Sequence, residues 1–251
     1  MNNFMVFLAK EFSEMWRTWR IFILGIIFIF FALLSPILTR YMNDLFQMMG
    51  IFMPLPPPHW SQSYMSLYVN LNQVGMIALI LLVMGVVSSE KRRGTAALMM
   101  VKGLSHHTFI LAKFAALSLI TFAVLLVTVL ITHFLTIALF GAGADITNLL
   151  TGLVLYQIFA MMMLSLIILA STIADSTGLA AVLGFLGFMA LSIPASLPRI
   201  REAFPYTISF RAHEVTAGYF SGMLWANITT AIAATALLLL ISIHILRKKE
   251  L

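Results

Sequence analysis

Few side chains in this sequence of 251 residues could do chemistry, and their spacing supports little of it. The absence of cysteine excludes disulfides, thiol catalysis and thiolate metal sites. His106 and His107 are adjacent, so in a helix they point about 100° apart and cannot share a metal as an i, i+4 pair would. The methionines at 161–163 could bind Cu(I) only with His or Cys within reach. We therefore expect no metal site and no cofactor, and we keep a membrane-embedded enzyme only as an alternative.

Two ionisable residues lie within or beside apolar runs, where such groups often mark a transport pathway. His133 follows Thr132 inside the run 113–140, and Asp175 lies at a short turn between two runs. Either could serve a free-standing ion-coupled carrier or channel. Structural roles are the stronger interpretation: His133 lies near the outer third of its span beside Thr132, and Asp175 could cap the helix that follows it. The carrier or channel therefore remains an alternative function.

The elements that carry these residues belong in a lipid bilayer. Hydrophobic residues make up 61% of the chain and charged residues 10%, whereas a soluble domain has about 45–50% and about 25%. The apolar runs can cross a hydrocarbon core about 30 Å thick as helices, and they lack the alternation of a membrane barrel. The sequence predicts an all-α integral membrane protein, one domain over residues 1–251, with six spans at about 21–38, 67–87, 113–140, 149–173, 178–193 and 223–246.

Lysine and arginine indicate the orientation, because they collect on the cytoplasmic flanks of spans. With both termini inside, only four of the 15 basic residues lie outside, namely Arg40, Arg199, Arg201 and Arg211. Topology therefore explains the net charge of +6, and we expect no nucleic-acid partner. We predict a multi-pass protein of the bacterial inner membrane, surrounded by lipid, with cytoplasmic N- and C-termini.

The N-terminal segment, residues 3–20, is amphipathic at the period of a helix. Lys10, Glu14 and Arg17 lie on one face. The opposite face carries the apolar residues Phe4, Leu8, Phe12, Met15, Trp16 and Trp19. A helix with this pattern suits the headgroup plane, so we predict an interfacial elbow helix before the first span.

The segment 194–222, before the last span, is too polar to cross the membrane. Pro194, Pro198 and Pro205 interrupt its short apolar pieces. We predict a broken or re-entrant segment covered by protein, with an ordinary loop as the alternative.

Small residues recur in the fifth span. Ala180, Gly184 and Gly187 share a face at the spacing of closely packed membrane helices. We predict that this face is a dimer interface.

The loop 88–107, between spans two and three, carries the most informative pattern. Gly94 should break the incoming helix, Thr95 should cap a new one, and Gly103 should end it after about two turns. That helix is too short to span, yet its apolar members are Leu98, Met99, Met100 and Val101, followed by Lys102. Exposing such a cluster favours a partner surface, while a helix resting on the headgroups is the alternative.

This loop resembles the signature of the ABC-2 type permease family. The residues that carry the resemblance are Glu90-x-x-x-Gly94-Thr95, the apolar helix after them, Leu104-Ser105 and the stretch from Ile110 to Lys113. Lys10-Glu11 in the N-terminal helix, the six spans and the broken segment before the last span extend it. The chain differs at Gly103, where the family usually has Pro, and at His106, where Arg is frequent.

The resemblance implies a half-transporter. Two permease chains, identical or different, would form the path for a hydrophobic or amphiphilic substrate, and two separate ABC ATPase subunits would drive its export. The residues that would couple to the ATPase are Glu90, Gly94, Thr95, Leu98, Met99, Lys102 and Gly103. The sequence has no Gly-x-x-x-x-Gly-Lys-[Ser/Thr] loop, which agrees with ATP hydrolysis on another polypeptide.

Overall fold

The computed structural model describes residues 3–51, 57–101, 103–195, 197, 204–220, 222 and 224–248. Every regular element within these ranges is a helix. Six helices are long and apolar enough to cross a membrane: Arg20–Met48, Trp60–Arg92, His106–Phe140, Ile146–Ile173, Thr177–Ala195 and Leu224–Lys248. This confirms the predicted all-α membrane fold, and most spans extend beyond the apolar runs that predicted them.

We number the α-helices in chain order. They are α1 Asn3–Arg17, α2 Arg20–Met48, α3 Trp60–Asn70, α4 Met76–Val83, α5 Ser88–Arg92, α6 Thr95–Val101, α7 His106–Phe140, α8 Ile146–Ile173, α9 Thr177–Ala195, α10 Ile208–Thr216 and α11 Leu224–Lys248. A π-helical turn, Leu71–Gly75, joins α3 to α4. Because the spans alternate in direction, α1, α6 and the end of α11 lie on one side of the bundle, here the N-terminal side. The helix α10 lies on the far side.

The helix α8 is the centre of the bundle and packs against α7, α9, α10 and α11. Of its most apolar window, 72% is buried, the highest share among the six spans. An apolar surface on all sides suits such a position, because no face needs to meet headgroups or water.

The second span is interrupted at 84–87, and α8 satisfies the freed backbone. Ser171 Oγ accepts hydrogen bonds from Val87 N and Ser88 N, both at 3.0 Å, and donates to Met84 O at 2.7 Å. Lys91 Nζ in turn donates to two carbonyls at the end of α8, those of Thr172 at 2.9 Å and Ala174 at 3.0 Å. Broken backbone at membrane depth needs such partners, so α5 is fixed to the end of α8.

The N-terminal helix is distinct from the first span, but its bounds and its packed face differ from the prediction. It ends at Arg17, and Trp19, with φ of 61°, forms a left-handed turn before α2. Phe7, Glu11 and Met15 are its buried residues. This face packs against the bundle, where Lys113 pairs with Glu11, while Met5 and Trp16 remain exposed, as an interfacial helix requires.

The described part of the segment 194–222 contains a packed short helix. A 3-10 turn at Pro205–Thr207 leads into α10, whose inner face lies against α8 and α3. At Gly152 in α8 an added Cβ would lie 2.8 Å from the carbonyl oxygen of Ala212 and still closer to Thr216 Oγ1, so only glycine permits this approach. Pro198, Arg199 and Arg201 lie outside the described residues.

The small-residue face of α9 meets the same chain, which corrects its assignment to a dimer interface. Ala180 and Gly184 are buried, and an added Cβ at Gly184 would lie 3.4 Å from Ile80. An added Cβ at Gly187 would lie 3.0 Å from Leu166 in α8. The spacing did indicate close helix packing, but α4 and α8 occupy the face.

Candidate functional site

A network of charged side chains lies on the N-terminal side, where α1, α5 and α7 meet. Lys113 Nζ contacts Glu11 Oε1 at 2.8 Å and Glu90 Oε2 at 3.1 Å. Lys10 Nζ contacts Glu90 Oε1 at 2.6 Å, Glu11 Oε1 at 2.9 Å and Glu14 Oε2 at 2.8 Å. We call these five residues the ion network. It joins three helices that are distant in sequence.

The inner half of the ion network is removed from solvent. Lys113 has 1% of its side chain exposed, and Glu11 and Glu90 are buried as well. The Lys113 ammonium also lies 4.9 Å from the ring centre of Phe109 and 5.5 Å from that of Phe7. Buried charges are tolerated only with close partners, and loss of one partner leaves buried charge incompletely compensated. Each member thus holds the others in place.

The outer half of the network has shifted pKa values. Burial lowers the pKa of Lys10, but hydrogen bonds to Glu14, Glu90 and Glu11 outweigh it, so the pKa is raised above 10.5. Burial likewise raises the pKa of Glu14, but the hydrogen bond from Lys10 and the positive charges of Lys10, Lys113 and Arg20 together outweigh it, so the pKa is lowered below 4.5. Lys10 therefore stabilises the fold until the pH rises through its raised pKa. Glu14 does so until the pH falls through its lowered pKa.

The predicted helix α6 is present and is bounded by glycines. Gly94 and Gly103 have φ of 70° and 89°, a region that glycine adopts without strain. Thr95 does not cap the helix: it is its first residue, and its hydroxyl donates to the carbonyl of Glu90 at 3.2 Å, which corrects the predicted role. Lys102 lies outside the described residues.

The exposed face of α6 is narrower than the predicted cluster. Leu98 is 62% exposed and Val101 is 87% exposed. Met99 and Met100 are partly buried and pack against the hydrophobic core. Beside α6 a polar cleft of about 490 Å³ opens toward α1, with Met99 in its wall. Leu98 and Val101, beside this charged cleft, form a surface that a partner protein could contact.

Three carboxylates of the network, those of Glu11, Glu14 and Glu90, lie within 4.8 Å of one another. The Lys10 ammonium contacts all three, so a metal ion would have to displace it. The arrangement therefore holds helices together rather than offering a metal site. Lys113 was the sequence signal for it: a lysine inside a long apolar helix requires a buried partner.

The ionisable residues considered for a carrier have local partners. The Tyr64 hydroxyl is hydrogen bonded to His133 Nδ1 at 2.8 Å and also accepts from Ala144 N at 3.2 Å. Asp175 does not cap α9, because Ser176 Oγ accepts from Leu179 N. The Asp175 carboxylate lies instead 3.6 Å from Lys91. These contacts agree with structural roles.

A family model and one known protein match the chain. The family model described as "Protein of unknown function (DUF2705)" matches residues 39–251, which is most of the chain. An uncharacterized transmembrane protein of Bacillus subtilis (strain 168), YxlG, is 25% identical over 257 residues. That alignment covers all of this chain and 99% of the relative. Together with the six apolar helices, these matches make the chain a multi-pass membrane protein.

Proposed function

The chain belongs to the DUF2705 family, and from its geometry we propose that it is the permease subunit of an ATP-driven ABC exporter. In this proposal two permease chains enclose the path of a hydrophobic or amphiphilic substrate. Two separate ATPase subunits bind on the N-terminal side, which then faces the cytoplasm of a bacterial cell, as the distribution of basic residues indicates. This chain itself hydrolyses no ATP.

The observation that carries the proposal is the way α6 is mounted. It exposes Leu98 and Val101 at the end of the bundle, while Glu90, four residues before Gly94, is fixed in the ion network. A helix that presents apolar side chains on a rigid support suits a docking element, because contact surfaces place exposed apolar residues on fixed backbone. The likeness of this segment to the ABC-2 permease signature supports the same function.

Pairing of two permease chains requires a surface other than the small-residue face of α9. That face is filled by α4 and α8. The exposed apolar residues of α2, α9 and α11 leave ample lipid-facing surface for a second chain.

The test is a double substitution, Leu98→Glu with Val101→Glu, in the chain purified from its native membranes. We expect the unmodified chain to retain a polypeptide that carries a Gly-x-x-x-x-Gly-Lys-[Ser/Thr] loop, identified by mass spectrometry, and to show vanadate-sensitive ATP hydrolysis in proteoliposomes. Two charges at the docking surface should remove both, because a buried unpaired charge opposes association.

Met5→Glu is the matched control, because Met5 is also 62% exposed and lies on the same side, in α1. It should keep the ATPase and its activity. Transport by the purified chain without any ATPase, driven by an ion gradient, would contradict the proposal and support the carrier. Full retention of the ATPase by the double variant would show that α6 is not the docking element.

A further inference from the structure

Gln73 is a polar side chain exposed in the middle of an apolar span. It lies in the π-helical turn Leu71–Gly75 of span two and is exposed together with its neighbour Val74. Trp60, at the start of the span, is 13 residues away, which is roughly 20 Å along a helix axis. The amide therefore cannot reach the headgroups. It forms no side-chain hydrogen bond with any residue that the structure describes.

An amide at this depth needs a hydrogen-bonding partner that lipid does not supply. Hydrocarbon offers neither donors nor acceptors, so an unpaired carboxamide is strongly disfavoured there. The preceding amide of the span has such a partner, since Asn70 Nδ2 donates to Ser35 Oγ of α2 at 3.3 Å. In the described spans the other exposed amide side chains, Gln47 and Gln62, lie within two residues of a helix end. Gln73 therefore points to a missing partner inside the membrane.

The surface around Gln73 is apolar and belongs to two helices. Ile77 and Leu81 follow Gln73 by about one and two helical turns and are 42% and 54% exposed. An apolar groove of about 280 Å³ lies between them and α9, with Val182 and Phe185 of α9 in its wall. We call Gln73 and these four residues the Gln73 face. One amide in apolar surroundings is too little polar lining for a water-filled path, but it suits a contact between membrane helices.

We propose that the Gln73 face binds the same face of a second copy of this chain, with the two Gln73 amides hydrogen bonded to each other. Two copies inserted in the same direction are related by a two-fold axis along the membrane normal, and residues beside that axis meet their own counterparts. A carboxamide carries both donors and an acceptor, so it is complementary to itself. Each chain thus supplies the partner that the Gln73 of the other chain lacks.

The pairing surface lies on the outward side of α4 and α9, away from the small residues of α9 that pack within the chain. Ile77 and Leu81 continue the contact along the two-fold axis, and the groove beside α9 receives apolar side chains of the second copy. The inference rests on the proposed function for the role of this dimer, because an exporter of that kind requires two paired permease chains.

The first test is disulfide cross-linking of the purified chain in liposomes, where the absence of native cysteine leaves one introduced thiol per chain. Ile77→Cys should give a disulfide-linked dimer with a membrane-permeant oxidant, because position 77 lies about one turn from Gln73 beside the two-fold axis. Leu237→Cys is the matched control: it is 58% exposed and lies 13 residues into α11, as Gln73 lies 13 residues into its own span. It should cross-link far less.

The second test measures self-association by energy transfer between copies labelled at the C-terminus, over a series of protein-to-lipid ratios. Gln73→Leu should weaken dimerisation about fivefold or more, because the amide pair is lost while the apolar surface remains. Gln73→Asn keeps an amide and should weaken it less. Gln47→Leu makes the same change at an exposed position near the end of α2 and should leave dimerisation unchanged.

The proposal is overturned if Ile77→Cys cross-links no better than Leu237→Cys, or if Gln73→Leu associates as strongly as the unmodified chain. A monomeric chain that still retains an ATPase would overturn this inference and leave ATPase docking intact. A dimer that depends on Gln73 but never retains an ATPase would support the Gln73 face and contradict the exporter.

Discussion

Two short helices, neither able to cross a membrane, end up in opposite situations. The helix α6 has seven residues and lies on the N-terminal side with Leu98 and Val101 exposed. The helix α10 has nine residues and lies on the far side with its inner face buried against α8. Charged side chains of the ion network fix the segment before α6, whereas the close approach of the Ala212 carbonyl and Thr216 to Gly152 fixes α10.

The difference agrees with different proposed roles for the two helices. A helix that serves only the fold buries its apolar face, as α10 does, because burial of apolar surface is the gain. The outer face of α6 leaves Leu98 and Val101 exposed and so gains no free energy from burial, while the ion pairs of Glu90 fix the segment before the helix. An exposed apolar surface on a rigid mount is consistent with a partner site, and a buried one with a structural element.

The largest expected effect is on the support of α6. Lys113→Met should lower the free energy of unfolding by about 3 kcal/mol, because the buried carboxylates of Glu11 and Glu90 lose their buried cation and keep only the partly exposed Lys10. Thermal unfolding in detergent measures this, and trypsin should cleave faster after Arg93. Lys248→Met, at an exposed position on the same side, should change stability by less than about 0.5 kcal/mol. If Lys113→Met and Lys248→Met are equally stable, the ion network does not stabilise the segment that carries α6.

The packing of α10 provides the next largest effect. Gly152→Ala should destabilise the chain by about 1–3 kcal/mol, because the new methyl group overlaps the Ala212 carbonyl and Thr216. Gly178→Ala is the control, since a Cβ there meets nothing within 4 Å. Adding Thr216→Ala to the Gly152→Ala chain should restore part of the loss in melting temperature. If Gly152→Ala melts like the control, α10 does not approach α8 closely.

A smaller effect concerns the break in span two. Ser171→Ala leaves Val87 N and Ser88 N without their acceptor, which should cost about 1–2 kcal/mol. Ser165→Ala in the same helix is the matched control, because Ser165 Oγ donates to Met162 O within α8. The difference between the two melting temperatures isolates the bonds that fix α5. No difference would mean that α5 is held by Lys91 and the ion network alone.

The smallest effect is on pH dependence. The pKa of Glu14 is lowered from 4.5, so its contribution is complete above about that pH and is lost as the pH falls through the lower folded value. A nitroxide on Ser13→Cys, in the cleft between α1 and α6, should become more mobile on acidification. The same label in a Glu14→Gln chain should be mobile at neutral pH and change less. A label at Ser105→Cys serves as reference.

Much of this fold could be predicted from the sequence, because lipid imposes length and polarity on each span. The glycines at 94 and 103 likewise predicted the bounds of α6. The sequence did not predict which residues contact each helix face. Periodicity places Lys10 with Glu14 on one face, and Ala180 with Gly184 on another, but it does not indicate what packs against them. Glu11 and Lys113 are 102 residues apart, and only the folded chain brings them together. The roles of Glu90, Leu98 and Met99 in coupling stay predictions.

Glu90 and Lys91 are neighbours in sequence, yet they contact different helices of the bundle. Glu90 engages α1 and α7, while Lys91 engages the carboxyl end of α8. The five residues of α5 are therefore fixed to three other helices, α1, α7 and α8. Thr95 at the start of α6 donates to the carbonyl of Glu90, so we expect a displacement of α6 to be transmitted through α5 to α1, α7 and α8 together.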